Sequence, residues 1–388
     1  MAVDVPSVTT RDTVELDQFR HTTHAFLAEH VAPHVDTWER QRSWPARELY
    51  PSFGTQGLLG LGYERRYGGA ELDFRFTRAF CAELGSLDCG GIGMSVSVQT
   101  DMCTPALAQY GSDEARDRFL RGAIAGTAIG SIALTEESGG SDFNGIATTL
   151  TRRDGDYLVR GRKVLITNAT VADFHVVLCR TSATLPVTQA FTLVVVPADE
   201  PGVSATPYPD KLGNLCCDHG DVTFDDVRIP AGYVIGAEGL GYPLQAAALI
   251  RERLVSAVIA DAQARRLLAR ATAVARGRSS FGGPLIEHDR VADRLVALDT
   301  QLTLLGATLD TATREVVADG EVSKLALVTK NVAARAWVEA ADCLLQLSGG
   351  SGYMTDTSAQ RAYRDARAAS IAGGTDEVLR RSLAGYLP

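Results

Sequence analysis

No apolar run in the 388 residues approaches the roughly 18 to 20 needed to cross a bilayer. The stretch Phe191 to Pro197 is typical of the longest, so no membrane span is expected. The N-terminus, Met1 to Asp17, lacks both a basic start and an apolar block; it mixes Asp and Glu with Ser and Thr, which argues against a signal peptide and for a cytoplasmic location. Positive charge is in deficit. With 38 Lys and Arg against 47 Asp and Glu, the surface repels phosphate backbones, and nucleic acid is not an expected partner. Seven cysteines, at 81, 89, 103, 179, 216, 217 and 343, contain no C-x-x-C pair and are odd in number. That pattern argues against a disulfide framework and against a thiolate zinc site, and no metal centre is expected. Internal repeats and low-complexity tracts are absent as well.

What is there is an ordinary globular mixture, 45% hydrophobic and 22% charged, in a chain long enough for two or three domains. Its periodicity changes twice. From Val14 to about Thr127, apolar residues recur three and four apart in Phe19 to Val31, Ala46 to Leu59, Phe76 to Leu84 and Ala115 to Ile124, a helical pattern. Between about Gly130 and Tyr233 the chain turns to short runs rich in Val, Ile, Thr and Tyr: Tyr157 to Val159, Val164 to Thr167, His175 to Cys179, Phe191 to Val196 and Val222 to Val227. No helical stretch separates these strands, which favours a compact antiparallel barrel or sandwich over βαβ units. From Gly239 long Ala- and Leu-rich helical patterns return, over 243 to 276, 288 to 318, 322 to 348 and 376 to 386, and predict a bundle. The expected organisation is an α+β multidomain chain divided as 1–129, 130–238 and 239–388.

Five segments could carry chemistry, and each also has an ordinary structural explanation. Ala133-Leu-Thr-Glu-Glu-Ser-Gly-Gly-Ser-Asp142 has the hydroxyls and glycines that let backbone N–H groups approach a ligand, or is a polar turn capped by Ser141 or Asp142. Gln346-Leu-Ser-Gly-Gly-Ser-Gly-Tyr353 ends one long helix, and Gly373-Gly-Thr-Asp-Glu377 opens the last with Thr375 as N-cap; both suit a pyrophosphate and both suit plain capping. Arg278-Ser-Ser-Phe-Gly282 closes a helix where an Arg answers either the dipole or an anion. Leu249-Ile-Arg-Glu-Arg-Leu-Val255 sets three charges inside a helix that is apolar nearly all round. Around Glu252 stand Ala248, Leu249, Val255 and Ser256, a stripe able to raise a carboxylate's pKa toward that of a general base. Arg251 and Arg253 have similarly apolar neighbours, so periodicity does not single out Glu252, and taken alone the triplet is better explained by a paired structural salt bridge.

Together these segments resemble the acyl-CoA dehydrogenase family over nearly the whole chain. The resemblance rests on residues 133–142, on 346–353 running on to Asp356, Arg361 and Asp365, and on Lys163-Val-Leu-Ile-Thr-Asn168, Arg278 to Leu285, Phe224-Asp-Asp-Val-Arg-Ile-Pro230 and Tyr67-Gly-Gly69. It implies an N-terminal helical domain, a middle antiparallel β-barrel and a C-terminal four-helix-type bundle. FAD would lie between them and be shared across a subunit interface. The resemblance assigns Ile132, Leu134, Thr135, Gly140, Ser141, Leu165, Ile166 and Thr167 to the flavin ring, and Arg278, Phe281, Gln346, Gly349, Gly350, Thr375 and Glu377 to the adenosine and pyrophosphate. Ser141, Arg253, Gly373 and Gly374 would contact substrate.

The implied reaction is α,β-dehydrogenation of an acyl thioester, on CoA or on a carrier protein, to the trans-2-enoyl thioester. Electrons would pass to an electron-transfer flavoprotein, and the enzyme would be a homotetramer or homodimer. In the family the base is a Glu with two homes: before the Gly-Thr of the last loop, or in a Glu-Arg pair on the first C-terminal helix. Gly373 holds the first position here and Glu252-Arg253 the second, so the resemblance makes Glu252 the base and leaves Gly373 its backbone N–H as a carbonyl-polarising donor. Three positions depart from the family pattern: Leu165 stands where an indole is usual, Asp289 follows His288 in place of Gln, and the loop Gly213 to Gly220 is atypical. Rival readings on the same fold are a flavin monooxygenase or oxidase, and a flavin-binding protein without turnover.

Overall fold

The computed structural model describes residues 10–388, with side chains from Val14 onward. The N-terminal residues 1–9, part of the stretch whose composition argues against a leader, lie outside the described residues. Helices α1 (Thr10–His30), α2 (Val35–Gln41), α3 (Ala46–Thr55), α4 (Phe74–Ser86), α5 (Gly90–Ser97), α6 (Thr104–Tyr110), α7 (Asp113–Ala115) and α8 (Arg121–Ala125) build the first unit. Local chemistry sets their ends. Asp73 caps α4 by accepting from the Arg75 N–H at 2.8 Å, and Gly126, at φ 74°, closes α8 in the left-handed conformation. The core of this unit holds Phe26, Val31, Trp44, Tyr50, Phe53, Phe80 and Ile92.

Next come β1 (Gly130–Ala133), β2 (Thr149–Arg153), β3 (Asp156–Thr167), β4 (Phe174–Arg180), β5 (Phe191–Pro197), β6 (Val203–Pro207), β7 (His219–Ile229) and β8 (Val234–Ile235). They form one eight-stranded sheet in the order β6-β7-β3-β2-β4-β5-β8, with β1 paired to β4. The expected antiparallel barrel is corrected here: the sheet is mixed and open. β1 runs parallel to β4, β2 meets β4 in parallel at Thr149 and Arg180, and the path ends at β6 and β8 without joining them. The physical reason is visible at the β8 edge. That strand has two residues, and the chain then turns through Gly236 and Gly239, both at positive φ, into the next helix.

The third unit is α9 (Gly241–Gly277), the small hairpin β9 (Ser279–Ser280) and β10 (Gly283–Pro284), α10 (Asp289–Val317), α11 (Ser323–Gly352), α12 (Ser358–Ala366) and α13 (Asp376–Ala384). All seven residues of β5 are buried, which means that both faces of the strand are covered. One cover is the start of α9, where a Cβ on Gly241 would lie 2.7 Å from the Thr192 backbone. This close approach, open to glycine alone, fixes the start of α9 against the sheet, about three helical turns before Glu252. α9 packs along α11 and against α4 and α10, through Leu254, Val258, Leu267, Cys81, Leu298, Leu302, Trp337 and Leu344.

Candidate active site

The three charges on α9 have three different fates. Arg251 donates to Asp101 at 2.9 Å and to Thr77 at 3.2 Å, a structural anchor to the N-terminal helices. Arg253 donates from Nε to the Gly373 carbonyl at 3.3 Å. Glu252 is buried, and no hydrogen bond holds its carboxylate among the described residues. Burial pushes its pKa from the ordinary carboxylate range up to about 7, while the charges of Arg253 and Lys330 oppose the shift.

The segment facing Glu252 is the turn before α13. Gly373 and Gly374 have φ of 66° and 97°, a left-handed pair that L side chains resist. A Cβ built on Gly373 would stand 3.2 Å from Oε1 of Glu252, so the two positions named for the base address one point in space. Thr375 then caps α13 as expected, its hydroxyl accepting from the Val378 N–H at 3.3 Å. Lys330, which the sequence reading passed over, donates to the Gly374 carbonyl at 2.6 Å from the middle of α11 and is 2% exposed.

A second group forms around residues 133–142. Lys163, fully buried, donates to Glu136 at 2.8 Å and to the Leu134 carbonyl at 3.0 Å, while Glu136 also accepts from the backbone N–H groups of Ala147 and Thr148. This ion pair shapes the loop from beneath. The Val164 N–H donates to the Thr135 carbonyl at 2.9 Å and ties the loop to β3. Between Lys163 and Ile166 the β3–β7 register shifts, and Leu165, at φ 59°, is thrown outward with 65% of its surface exposed. Ile166 turns inward and is buried, and Thr167 bonds His219 at 3.0 Å. Ile132 and Leu134 are half-buried, Gly140 and Ser141 exposed; Asp142, not Ser141, caps the turn that follows.

The third group joins Arg278 to the turn at 346–350. Its Nη1 donates to the Leu347 carbonyl at 2.8 Å. α11 does not stop at Gln346 but runs through a kink, where Gly349 has φ 62° and ψ −152° and a Cβ would fall 2.5 Å from the Arg278 guanidinium. Gln346 and Gly350 are exposed beside it, and Phe281 projects from the β9–β10 hairpin at φ 51° with 98% exposure. Glu377 is exposed in the first turn of α13.

These features fit a flavin dinucleotide. Leu165 and Phe281 are large apolar side chains held outward at strained φ, surfaces that ask for a planar apolar cover. Arg278 at the Gly349 kink, and the free N-terminal N–H groups of α13, suit a pyrophosphate. A buried carboxylate with no hydrogen-bond partner and a pKa near neutral has the chemistry that abstraction of a carbon-bound proton requires, and the whole describes a flavin-dependent dehydrogenase.

Comparison with known proteins gives this class a family. Residues 13–127, 131–227 and 239–387 match the N-terminal, middle and C-terminal domains of acyl-CoA dehydrogenase. The mitochondrial long-chain specific acyl-CoA dehydrogenase of Rattus norvegicus is 31% identical over 95% of this chain and 86% of its own. An acyl-CoA dehydrogenase structure from Geobacillus kaustophilus superposes with a TM-score of 0.91, 30% identity and coverage of 96% and 97% of the two chains. A glutaryl-CoA dehydrogenase from Mycobacterium smegmatis in complex with FADH2 gives 0.88 and 27%, over 96% and 94%. The chain belongs to the acyl-CoA dehydrogenase family, the FAD-dependent oxidoreductases that dehydrogenate acyl thioesters. Among the described residues no helix is long and apolar enough to cross a membrane.

Proposed function

We propose that Glu252 is the base that removes the α-proton of a saturated acyl thioester. The carrying observation is its position: buried, unbonded, near neutral pKa and 3.2 Å from the point where a residue-373 side chain would begin. A carboxylate titrating near 7 is ionised in an adequate fraction at neutral pH and is basic enough to take a carbon-bound proton. The carbonyl must be polarised for that proton to leave. The N–H of Gly373, which donates to no backbone group among the described residues, is the donor that would meet the thioester oxygen, with Gly374 completing the turn. Arg253 holds the Gly373 carbonyl on the opposite side and so orients this N–H. FAD, when bound, supplies the acceptor for the β-hydride, so that loss of the α-proton to Glu252 and of the hydride leaves the trans-2-enoyl thioester.

Thr135, Leu165, Ile166 and Thr167, with Ile132, Leu134, Gly140 and Ser141, would hold the ring. Arg278, Phe281, Gln346, Gly349, Gly350, Thr375 and Glu377 would hold the remainder of the cofactor. Ser141 and Arg253 would also contact the substrate. The exposed apolar surface of the third unit, Phe281, Leu304, Val296 and Tyr353, supports a homo-oligomer, a dimer or tetramer, that covers it. The chain is read as three units, 1–129, 130–238 and 239–388, acting in the cytoplasm with an electron-transfer flavoprotein as acceptor and CoA or a carrier protein as the thioester's handle. The test is anaerobic mixing of the yellow holoprotein with a panel of saturated acyl-CoA and acyl-carrier-protein thioesters. Bleaching of the flavin by members of the panel supports the reading; a flavin reduced only by a nicotinamide donor contradicts it.

A further inference from the structure

We infer that Lys330 is a positioning residue for this reaction: it clamps the Gly373–Gly374 turn through the Gly374 carbonyl and supplies the positive charge that favours Glu252 as a carboxylate. The inference rests on the reading of Glu252 as base. Its ground is the convergence of two helices on one point. The ideal Cβ position of Gly373 lies 3.2 Å from Glu252 Oε1, on α9, and 3.8 Å from Lys330 Cε, on α11. The lysine's Nζ reaches past that point to the Gly374 carbonyl at 2.6 Å.

Energetics argue that the lysine is there for the turn and its neighbour. A lysine with 2% exposure sits on a face of α11 shared with Ala326, Leu327, Ala333 and Ala334, where an unpaired ammonium is costly. Burial lowers its pKa to about 8; Asp376 and Glu252 favour its charged form and Arg253 opposes it. Asp376, on α13, is itself engaged by Arg335 at 3.2 Å. The charged groups facing Glu252 are Arg253 from its own helix and Lys330 from α11. Arg253 and Lys330 hold the two successive carbonyls of the glycine turn, Gly373 and Gly374. Both acceptors are thereby satisfied away from the substrate side, and the Gly373 N–H stays available. Lys330 thus couples the orientation of the polarising N–H to the ionisation of the base.

The experiment is the pH profile of kcat/KM of the holoenzyme for wild type, Lys330→Met, Lys330→Arg and Glu252→Gln, together with an infrared titration of the Glu252 carboxyl band, taken as wild type minus Glu252→Gln. In Lys330→Met the acidic limb should move upward by about one pH unit, about a tenfold loss below the limb, with recovery at higher pH. Lys330→Arg should keep the wild-type limb. A loss equal at every pH, or an unchanged profile, overturns the inference and leaves Lys330 a structural filler. The infrared titration needs neither turnover nor the Met variant: in wild type the Glu252 band should respond in a second step near pH 8, when Lys330 loses its proton. A single-step titration overturns the coupling even if Lys330→Met fails to fold. Should Glu252→Gln retain full turnover, the base assignment itself falls, an outcome distinct from either result for Lys330.

Discussion

Oε1 of Glu252 and the α-carbon substituent of Gly373 compete for one place: a Cβ on the glycine would stand 3.2 Å from the carboxylate oxygen. The chain therefore has room for one acid there, supplied either by α9 or by the last turn. A swap follows from this. Gly373→Glu introduced into Glu252→Gln should restore at least about tenfold of the lost flavin-reduction rate, measured by stopped flow. It should stay below wild type, because φ of 66° at residue 373 costs a non-glycine residue about 1–2 kcal/mol.

Burial of Glu252 carries a stability cost with a definite sign. Its folded pKa, about 7, lies above the ordinary value of 4.5, so the folded state binds the proton more tightly. The penalty is absent below about pH 4.5, grows between there and 7, and is fully present above it. Glu252→Gln should therefore unfold at higher denaturant concentration than wild type at pH 8, by up to about 3 kcal/mol, with the difference shrinking toward pH 5. Equal stability at both pH values would contradict a buried carboxylate whose pKa burial raises.

The Lys163–Glu136 pair is a different use of buried charge. Removing the lysine leaves the buried Glu136 without its counter-charge, at a cost of up to about 3–5 kcal/mol. Lys163→Met should lower the free energy of unfolding by that amount and weaken flavin retention on gel filtration, since the lysine also holds the Leu134 carbonyl beneath the loop. Retention of both properties would remove the loop from the cofactor's support.

All seven cysteines are free and buried. Cys89 and Cys216 have sulfurs 3.3 Å apart; the hydrogen bond between them and then burial push the Cys216 thiol well above its ordinary pKa. The folded protein should be nearly inert to a thiol-specific reagent at pH 8, all seven groups reacting after denaturation. Rapid reaction of the native protein would contradict this burial.

The long helices were legible because their apolar spacing persists for many turns: α9, α10 and α11 lie within a few residues of the patterns at 243–276, 288–318 and 322–348. Strands β2 and β6 carry little pattern, since both are mostly exposed, and β8 is too short to show one. The open sheet was illegible for a related reason. Strand composition does not state direction, and the parallel pairing of β1 and β2 with β4 is set by tertiary placement. At the site, periodicity gave Arg251, Glu252 and Arg253 the same apolar surroundings, and only tertiary placement separates an anchor to Asp101 from a free carboxylate and a turn clamp. Lys330 offered the signal that Glu252 did, a charge in an Ala- and Leu-rich helix, but its partner is a backbone carbonyl 44 residues away.

The identity of the base is tested most directly by Glu252→Gln, a change that keeps the side chain's shape and removes its basicity. Anaerobic mixing of the flavin-loaded variant with a thioester that bleaches wild type should show a reduction rate lower by about 10²–10⁴-fold, with flavin content unchanged. α-Proton exchange with D2O, followed by NMR, should be lost in parallel. Bleaching or exchange at the wild-type rate would show that another group takes the proton, and the account of this site would fail.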